Sequence, residues 1–166
     1  MQIIEVQNQE QIKTVVSLAD EIWNEYYSKL LSQAQIDYML ENFQSLSAVN
    51  RQIKDENYHY FLLKADNGSF EGFFAIVPQP QEKNLFLSKI YIRKESRAKG
   101  YGKQSVSFIK DFAKSAKLQS ITLTVNRENT DSIKSFKKIG FKIVETIDAL
   151  IGHGFVMNDY RMRLEI

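Results

Sequence analysis

The sequence predicts one domain, residues 1–166, of mixed α/β or α+β class, and three observations support this. Runs rich in β-branched and aromatic residues alternate along the chain with runs whose apolar residues recur at helical spacing. The length of 166 residues suits a single domain. The hydrophobic fraction of 43% is enough to build a core without disulfides, and the chain has no cysteine.

The first half of the chain predicts a strand, two helices and a hairpin. Residues 3–6 are strand-like, and apolar positions between residues 12 and 30 follow helical spacing. A second helix is predicted over 35–43, with an extension towards residue 53 left open. Strands over 58–64 and 70–77 flank Asp66-Asn67-Gly68, a sequence typical of tight turns.

The second half alternates strands with helices. Pro78-Gln79-Pro80 is expected to end the preceding strand, and Gly140 to end a helix. Gly152-His153-Gly154 reads as a flexible connection. The predicted elements are a strand over 85–92, a helix over 100–117, a strand over 120–125, a helix over 130–139, and strands over 141–147 and 155–165.

The basic turn after strand 85–92 is the main candidate binding site. It reads Arg97-Ala98-Lys99-Gly100-Tyr101-Gly102, and Lys103 follows. The first turn of a helix leaves backbone N–H groups without partners, and the helix dipole makes that end electropositive. Glycines let a ligand approach the backbone, and the basic side chains add charge. The turn therefore predicts a phosphate or pyrophosphate site.

Two familiar phosphate-binding loops do not fit this turn. A Walker A loop needs Ser or Thr after Gly-Lys, but Gln104 follows Lys103. A dinucleotide fingerprint needs Gly or Ala three residues after its second glycine, where this chain has Ser105. The pattern R-x-x-G-x-G after a strand instead resembles the acetyl-CoA pyrophosphate loop of the GNAT superfamily of N-acetyltransferases.

A second stretch resembles the other signature of that family, N-x-x-A-x-x-x-Y-x-x-x-G-F. It comprises Asn129, Ser132, Phe136 and Gly140-Phe141. Asn129 is also a natural helix N-cap. The resemblance implies a mixed, mostly antiparallel central sheet of about seven strands with helices on both faces, in the order βααβββαβαββ.

The resemblance further implies transfer of acetyl from acetyl-CoA to a primary amine by direct attack in a ternary complex, without a metal ion. The two histidines have no ligand-like spacing. A non-catalytic module that binds or senses acyl-CoA is the alternative. The residues that the resemblance assigns to the cosubstrate are Ile90, Tyr91, Ile92, Arg97, Ala98, Lys99, Gly100, Tyr101, Gly102, Lys103, Asn126, Asn129, Ser132 and Phe136.

The catalytic groups are less well marked. Many relatives protonate the leaving thiolate with a tyrosine at the position of Phe136, and phenylalanine cannot donate a proton. Tyr160 and Tyr91 are the hydroxyls considered in its place. The candidate bases are His153, Glu71 and Glu25, because a protonated amine must lose a proton before it attacks.

Charge suggests what the two halves of the chain bind. Residues 1–88 carry 6 Lys/Arg and 12 Asp/Glu, whereas residues 89–166 carry 16 Lys/Arg and 8 Asp/Glu. The basic half suits an anionic cosubstrate. The acidic half, with Asp20, Glu21 and Glu25, favours a small cationic amine, although a protein amine is an alternative.

Other partners are not expected. Nucleic acid is disfavoured because the basic residues cluster around one loop, and steep salt dependence of binding would indicate it. No apolar run reaches the length of a membrane span, and residues 1–5 lack the features of a signal peptide. We therefore expect a cytoplasmic protein, and analogy with relatives leaves a homodimer open.

Overall fold

The computed structural model describes all 166 residues. Its strands follow the order β1-β2-β3-β4-β5-β7-β6 in one seven-stranded sheet, which confirms the mixed, mostly antiparallel fold. The strands are β1 (Gln2–Glu5), β2 (His59–Lys64), β3 (Phe70–Gln79), β4 (Asn84–Ile92), β5 (Ser120–Asn126), β6 (Lys142–Gly152) and β7 (Phe155–Glu165). The helices are α1 (Gln9–Tyr27), α2 (Gln33–Phe43), α3 (Leu46–Asp55), α4 (Tyr101–Ser115) and α5 (Thr130–Ile139).

Polar caps explain where the helices begin. Asn8 accepts a hydrogen bond from the backbone N–H of Gln11, whose side chain accepts from the Asn8 backbone, which forms a capping box. Ser45 accepts from the Ala48 backbone and starts α3. The extension left open towards residue 53 is therefore a separate third helix, and the chain has five helices where the order βααβββαβαββ has four.

Two strands are longer than the sequence predicts. β3 continues through Pro78 to Gln79, because proline is tolerated near a strand end. β6 reaches Gly152, and His153 and Gly154 alone connect it to β7. Both connecting residues have positive φ, 51° and 76°, as in the two-residue turns that match strand twist. The expected flexible connection is thus wrong: it is a tight hairpin turn.

The chain forms two compact units, and each has its own core. The first comprises residues 1–77 and 89–106, and the second comprises 78–88 and 107–166. In the first unit β1 pairs with β2, and β2 pairs with β3, all antiparallel. Its core contains fully buried residues of α1, β2 and β3, including Val15, Leu62 and Phe74.

In the second unit the start of β4 pairs in parallel with β5, and β7 lies antiparallel to both β5 and β6. Ile121, Met162 and Phe141 are buried in its core. The expectation of a single domain over 1–166 stays a prediction. None of the helices is long and apolar enough to cross a membrane.

Candidate active site

The basic turn lies in the first unit and joins β4 to α4. A short 3-10 turn (Lys94–Ser96) follows β4, and Arg97 has extended backbone angles. Ala98 has φ 63° and Gly100 has φ 89°, so the chain bends sharply before α4 begins at Tyr101. The positive φ at Gly100 explains why glycine is favoured there. The sequence prediction of a strand, a turn and a helix is therefore confirmed.

The start of α4 presents backbone donors. The first intrahelical hydrogen bond runs from the Gln104 N–H to the Gly100 carbonyl at 3.0 Å. The N–H groups of Tyr101, Gly102 and Lys103 thus precede the helical ladder and have no acceptor within the helix. An added Cβ at Gly102 would meet only Ile92 Cδ1, at 3.6 Å. Lys99 and Lys103 are exposed beside these donors. The backbone N–H groups and the two lysines together suit the binding of an anion.

The side chain of Arg97 turns towards α1. Its guanidinium donates to both carboxylate oxygens of Glu25, at 3.2 and 2.6 Å, and lies 5.1 Å from the centre of the Tyr26 ring. Its Nε also donates to the carbonyl oxygen of Ile92 at 3.0 Å. Arg97 therefore fixes the turn against α1, and its positive charge is matched by a carboxylate rather than aimed at the amides of α4.

A second ion pair lies one helical turn away on α1. Arg93 Nε donates to Glu21 Oε1 at 2.8 Å. The hydrogen bond from Arg97 lowers the pKa of Glu25, so this carboxylate is a weak base. Two of the three acidic residues expected to attract a cationic amine, Glu21 and Glu25, are thus paired with arginines. Their contribution to amine recognition is smaller than the sequence suggested.

Glu71 supports the same turn. Its two carboxylate oxygens accept hydrogen bonds from the hydroxyls of Ser69 and Ser96. These hydrogen bonds lower the pKa of Glu71, which makes it a poor proton acceptor. Its backbone carbonyl accepts from the N–H of Arg93 at 2.8 Å. The geometry makes Glu71 a support for the segment that leads into the basic turn.

The end of β4 is shaped by a close approach to β3. A Cβ added to Gly72 would lie 2.3 Å from the backbone oxygen of Tyr91, so only glycine fits without a shift of the backbone. The Tyr91 phenol is 2.8 Å from the Tyr27 phenol. The ladder between β4 and β5 ends at the Leu87–Leu123 pair, although β4 continues to Ile92.

The residues of the second signature lie in the second unit. Asn129 caps α5 and accepts from the Ser132 N–H at 3.2 Å. The Asn126 side chain accepts from the Glu128 N–H at 2.9 Å. Gly140, with φ 114°, ends the helix as predicted. The Phe136 ring packs edge-on against Phe141 at 5.6 Å and offers no proton donor.

The two other catalytic candidates are also in this unit. Tyr160 on β7 lies opposite Val125 on β5 and Thr146 on β6, and it is partly buried. His153 is exposed at the tip of the β6–β7 hairpin. The catalytic roles of Tyr160 and His153 stay predictions.

Sequence reasoning missed a buried lysine in the first unit. Lys89 Nζ donates to the carbonyl of Phe43 at 3.2 Å, to Gln52 Oε1 at 2.9 Å and to the Tyr60 hydroxyl at 2.6 Å. Burial lowers the pKa of Lys89 to about 7 and raises that of Tyr60. A lysine within an apolar strand pattern was the only signal available.

A partly buried aspartate in the second unit was also missed. Asp159 lies on β7 directly opposite Asn126, and its Oδ1 is buried without a hydrogen-bond donor. Burial raises the pKa of Asp159 to about 6, although Arg127 opposes the shift. Arg127 itself has a buried Nε without an acceptor. Its Nη2 donates to Asp148 and to the Ile147 carbonyl.

Comparison with known proteins agrees with this geometry. Residues 15–141 match the model of the acetyltransferase (GNAT) family. No curated protein matches the sequence. No group of three or more histidine, cysteine or acidic side chains converges to hold a metal ion.

Solved structures share the fold at low sequence identity. PaiA N-acetyltransferase from Thermoplasma acidophilum, in complex with coenzyme A, has 20% identity and a TM-score of 0.79, with 100% of both chains covered. Spermidine/spermine N-acetyltransferase SpeG from Vibrio cholerae, in complex with manganese ions, has 16% identity and a TM-score of 0.68. That comparison covers 99% of this chain and 92% of the other.

Proposed function

The chain belongs to the acetyltransferase (GNAT) family, whose members use acetyl-CoA as the acetyl donor, and we propose that it acetylates a primary amine. The acceptor we favour is a small cationic amine of the polyamine class. The observation that carries the proposal is the start of α4. There, three backbone N–H groups precede the helical ladder beside exposed Lys99 and Lys103, as the pyrophosphate of acetyl-CoA requires.

The residues of the first unit supply the binding of the cosubstrate. The N–H groups of Tyr101, Gly102 and Lys103 would bind the pyrophosphate, and Gly102 leaves the backbone open to it. Arg97, through Glu25, and Glu71, through Ser96, hold the start of the turn in place. This arrangement needs no metal ion and no nucleophilic side chain.

The chemistry requires a neutral amine and a stabilised oxyanion. An alkyl ammonium group has a pKa near 10.4, so about one molecule in a thousand is neutral at pH 7. Backbone N–H groups at the end of β4 suit the oxyanion that forms when the amine attacks the thioester carbonyl. Ile90, Tyr91 and Ile92 form this end of β4, and the resemblance assigned them to the cosubstrate.

Two observations favour a cationic acceptor. Residues 1–88 carry twice as many acidic as basic residues, even though Glu21 and Glu25 are paired. Spermidine N-acetyltransferases are among the proteins with this fold, at 15–16% identity. The class of acceptor is thus a proposal from charge and analogy.

The proposal is tested by free-thiol release from acetyl-CoA with a panel of acceptors: spermidine, an amino sugar, an amino acid and a lysine peptide. We expect turnover, with the highest kcat/KM for spermidine. Binding of acetyl-CoA without thiol release for any amine would favour the alternative, a non-catalytic acyl-CoA module, which the hydroxyl-free Phe136 supports. Preference for the peptide would contradict the small-amine assignment.

A further inference from the structure

The strand β6 forms an open edge of the sheet and carries exposed apolar side chains. It is the last strand in the sheet order, so β7 is its one partner strand. Four large hydrophobic residues of the chain are exposed, and three of them lie on β6: Ile143 at 38%, Val144 at 54% and Leu150 at 82%. An exposed edge strand with apolar side chains is a template on which another strand can pair.

β6 lacks most of the features that keep an edge strand from pairing. It contains no proline, and its single lysine, Lys142, is its first residue. Its two carboxylates are paired within the second unit, since Glu145 accepts from Arg161 at 2.7 Å and Asp148 accepts from Arg127. The carboxylates of β6 are therefore balanced by arginines and do little to repel a second strand.

The hydrogen-bond pattern identifies the backbone groups that face the open edge. The Arg127 N–H donates to the Asn158 carbonyl at 2.9 Å, so the backbone of Asn158 faces β5. Backbone groups alternate in direction along an antiparallel strand, so Asp159 faces β6, and Ile147, which lies opposite Asp159, faces β7. The two residues that flank Ile147 therefore point their N–H and C=O groups to the open edge.

We propose that β6 pairs antiparallel with β6 of a second copy of this chain, about a two-fold axis that passes through Ile147. The stretch from Glu145 to Leu150 pairs with β7 in unbroken register and supplies a regular edge. A two-fold axis perpendicular to the sheet requires one residue to lie opposite its own copy. With Ile147 at the axis, the outward backbone groups of Thr146 in each copy meet those of Asp148 in the other. This association does not depend on the acetyl transfer proposed above.

The side chains of β6 favour this register over its neighbours. With the axis at Ile147, Leu150 of each copy lies close to Val144 of the other, so these exposed apolar side chains cover each other. An axis at Asp148 would place two carboxylates directly opposite each other, which is destabilising. An axis at Thr146 would place Asp148 against Val144, and the apolar contact would be lost. This self-complementarity favours a second copy over an unrelated peptide as the occupant of the edge.

The absence of cysteine allows a direct test of the axis by disulfide cross-linking. In Ile147→Cys the two thiols would lie on a non-hydrogen-bonded pair with Cα atoms about 4.5 Å apart, a distance that a disulfide spans. Ala149→Cys is the matched control, because Ala149 is half-buried like Ile147 and shares its face of β6. Its Cα would lie about 14 Å from its own copy. Under mild oxidation we expect a covalent dimer for Ile147→Cys and a monomer for Ala149→Cys on a non-reducing gel.

Sedimentation velocity of the full chain tests the association itself. We expect the wild type to dimerise as the protein concentration rises, and Leu150→Asp to stay monomeric because its carboxylate would face Val144 of the second copy. Leu46→Asp is the control, since Leu46 is the fourth exposed large hydrophobic residue, lies on α3 and should leave the dimer intact. A monomeric wild type, or a dimer that Leu150→Asp does not weaken, would overturn the proposal. So would the lack of a covalent dimer in Ile147→Cys, or equal cross-linking of the two cysteine variants.

Discussion

Lys89 places an amine in the interior of the first unit, and the pH dependence of unfolding should report its charge. Burial lowers its pKa from 10.5 to about 7 in the folded protein. Between these two values the unfolded chain binds a proton that the folded protein has released. The free energy of unfolding therefore rises with pH in this window, at up to about 1.4 kcal/mol per pH unit. Below pH 7 both states hold the proton, and the effect is constant.

The substitution Lys89→Met isolates this effect. It removes the amine while the neighbours keep partners, since the Tyr60 hydroxyl still donates to Gln52 Oε1 and Gln52 Nε2 still donates to the Phe43 carbonyl. Integration of the linkage from pH 7 to pH 9 gives about 2 kcal/mol. The difference in unfolding free energy, wild type minus Lys89→Met, should grow by that amount.

Urea denaturation at pH 6, 7, 8 and 9 measures the difference. The variant Lys13→Met, which changes an exposed lysine of α1, is the control and should show no such growth. A difference between wild type and Lys89→Met that stays flat over this range would refute the reasoning. The three oxygen acceptors would then keep the amine protonated in the folded protein throughout.

Three further outcomes follow from the geometry. Gly72→Ala should lower the free energy of unfolding, measured in urea, by about 1–3 kcal/mol, because the new Cβ would lie 2.3 Å from the backbone oxygen of Tyr91. Gly102→Ala is the control and should not lower it, because its Cβ would lie 3.6 Å from Ile92 Cδ1. Glu25→Gln should raise KM for acetyl-CoA and leave KM for the amine unchanged, since Glu25 holds Arg97; a selective rise for the amine would contradict this. In the wild type, the raised pKa of Asp159 should make the melting temperature fall as the pH rises from 4 to 6, because the folded carboxyl binds more protons there than the unfolded one. Asp159→Asn should remove this fall, and identical pH curves for the two proteins would argue against the raised pKa.

Local signals explain which elements could be predicted. The bounds of α5 follow from a capping asparagine at residue 129 and a glycine at residue 140. The separate helix α3 was missed, because Ser45 looks like one more polar residue until its side chain is seen to cap the Ala48 N–H. The turn at 152–154 was misjudged, since flanking glycines suggest flexibility as readily as a hairpin.

The site could be predicted only where its chemistry is contiguous in sequence. The turn from Arg97 to Gly102 places amides and charges within a few residues, so the pattern identified it. The pairing of Arg97 with Glu25 joins residues 72 positions apart, and no sequence pattern announces it. Lys89 and Asp159 lie within strands β4 and β7. Lys89 is distinguished from other charged residues by its burial and its hydrogen-bond partners, and Asp159 by a buried oxygen without a donor, none of which the sequence shows.

The most direct test of the account is a calorimetric titration of acetyl-CoA into the wild type, Gly100→Val and Gly68→Val. Gly100 and Gly68 have almost the same backbone angle, φ 89° and 90°, but Gly68 lies in the β2–β3 hairpin. Backbone strain is thus matched between the two variants. We expect wild-type affinity in the range of typical enzyme KM values, roughly 1 μM–1 mM, retained in Gly68→Val and lost in Gly100→Val. No binding by the wild type, or undiminished binding by Gly100→Val, would contradict the assignment of the basic turn as the site for acetyl-CoA.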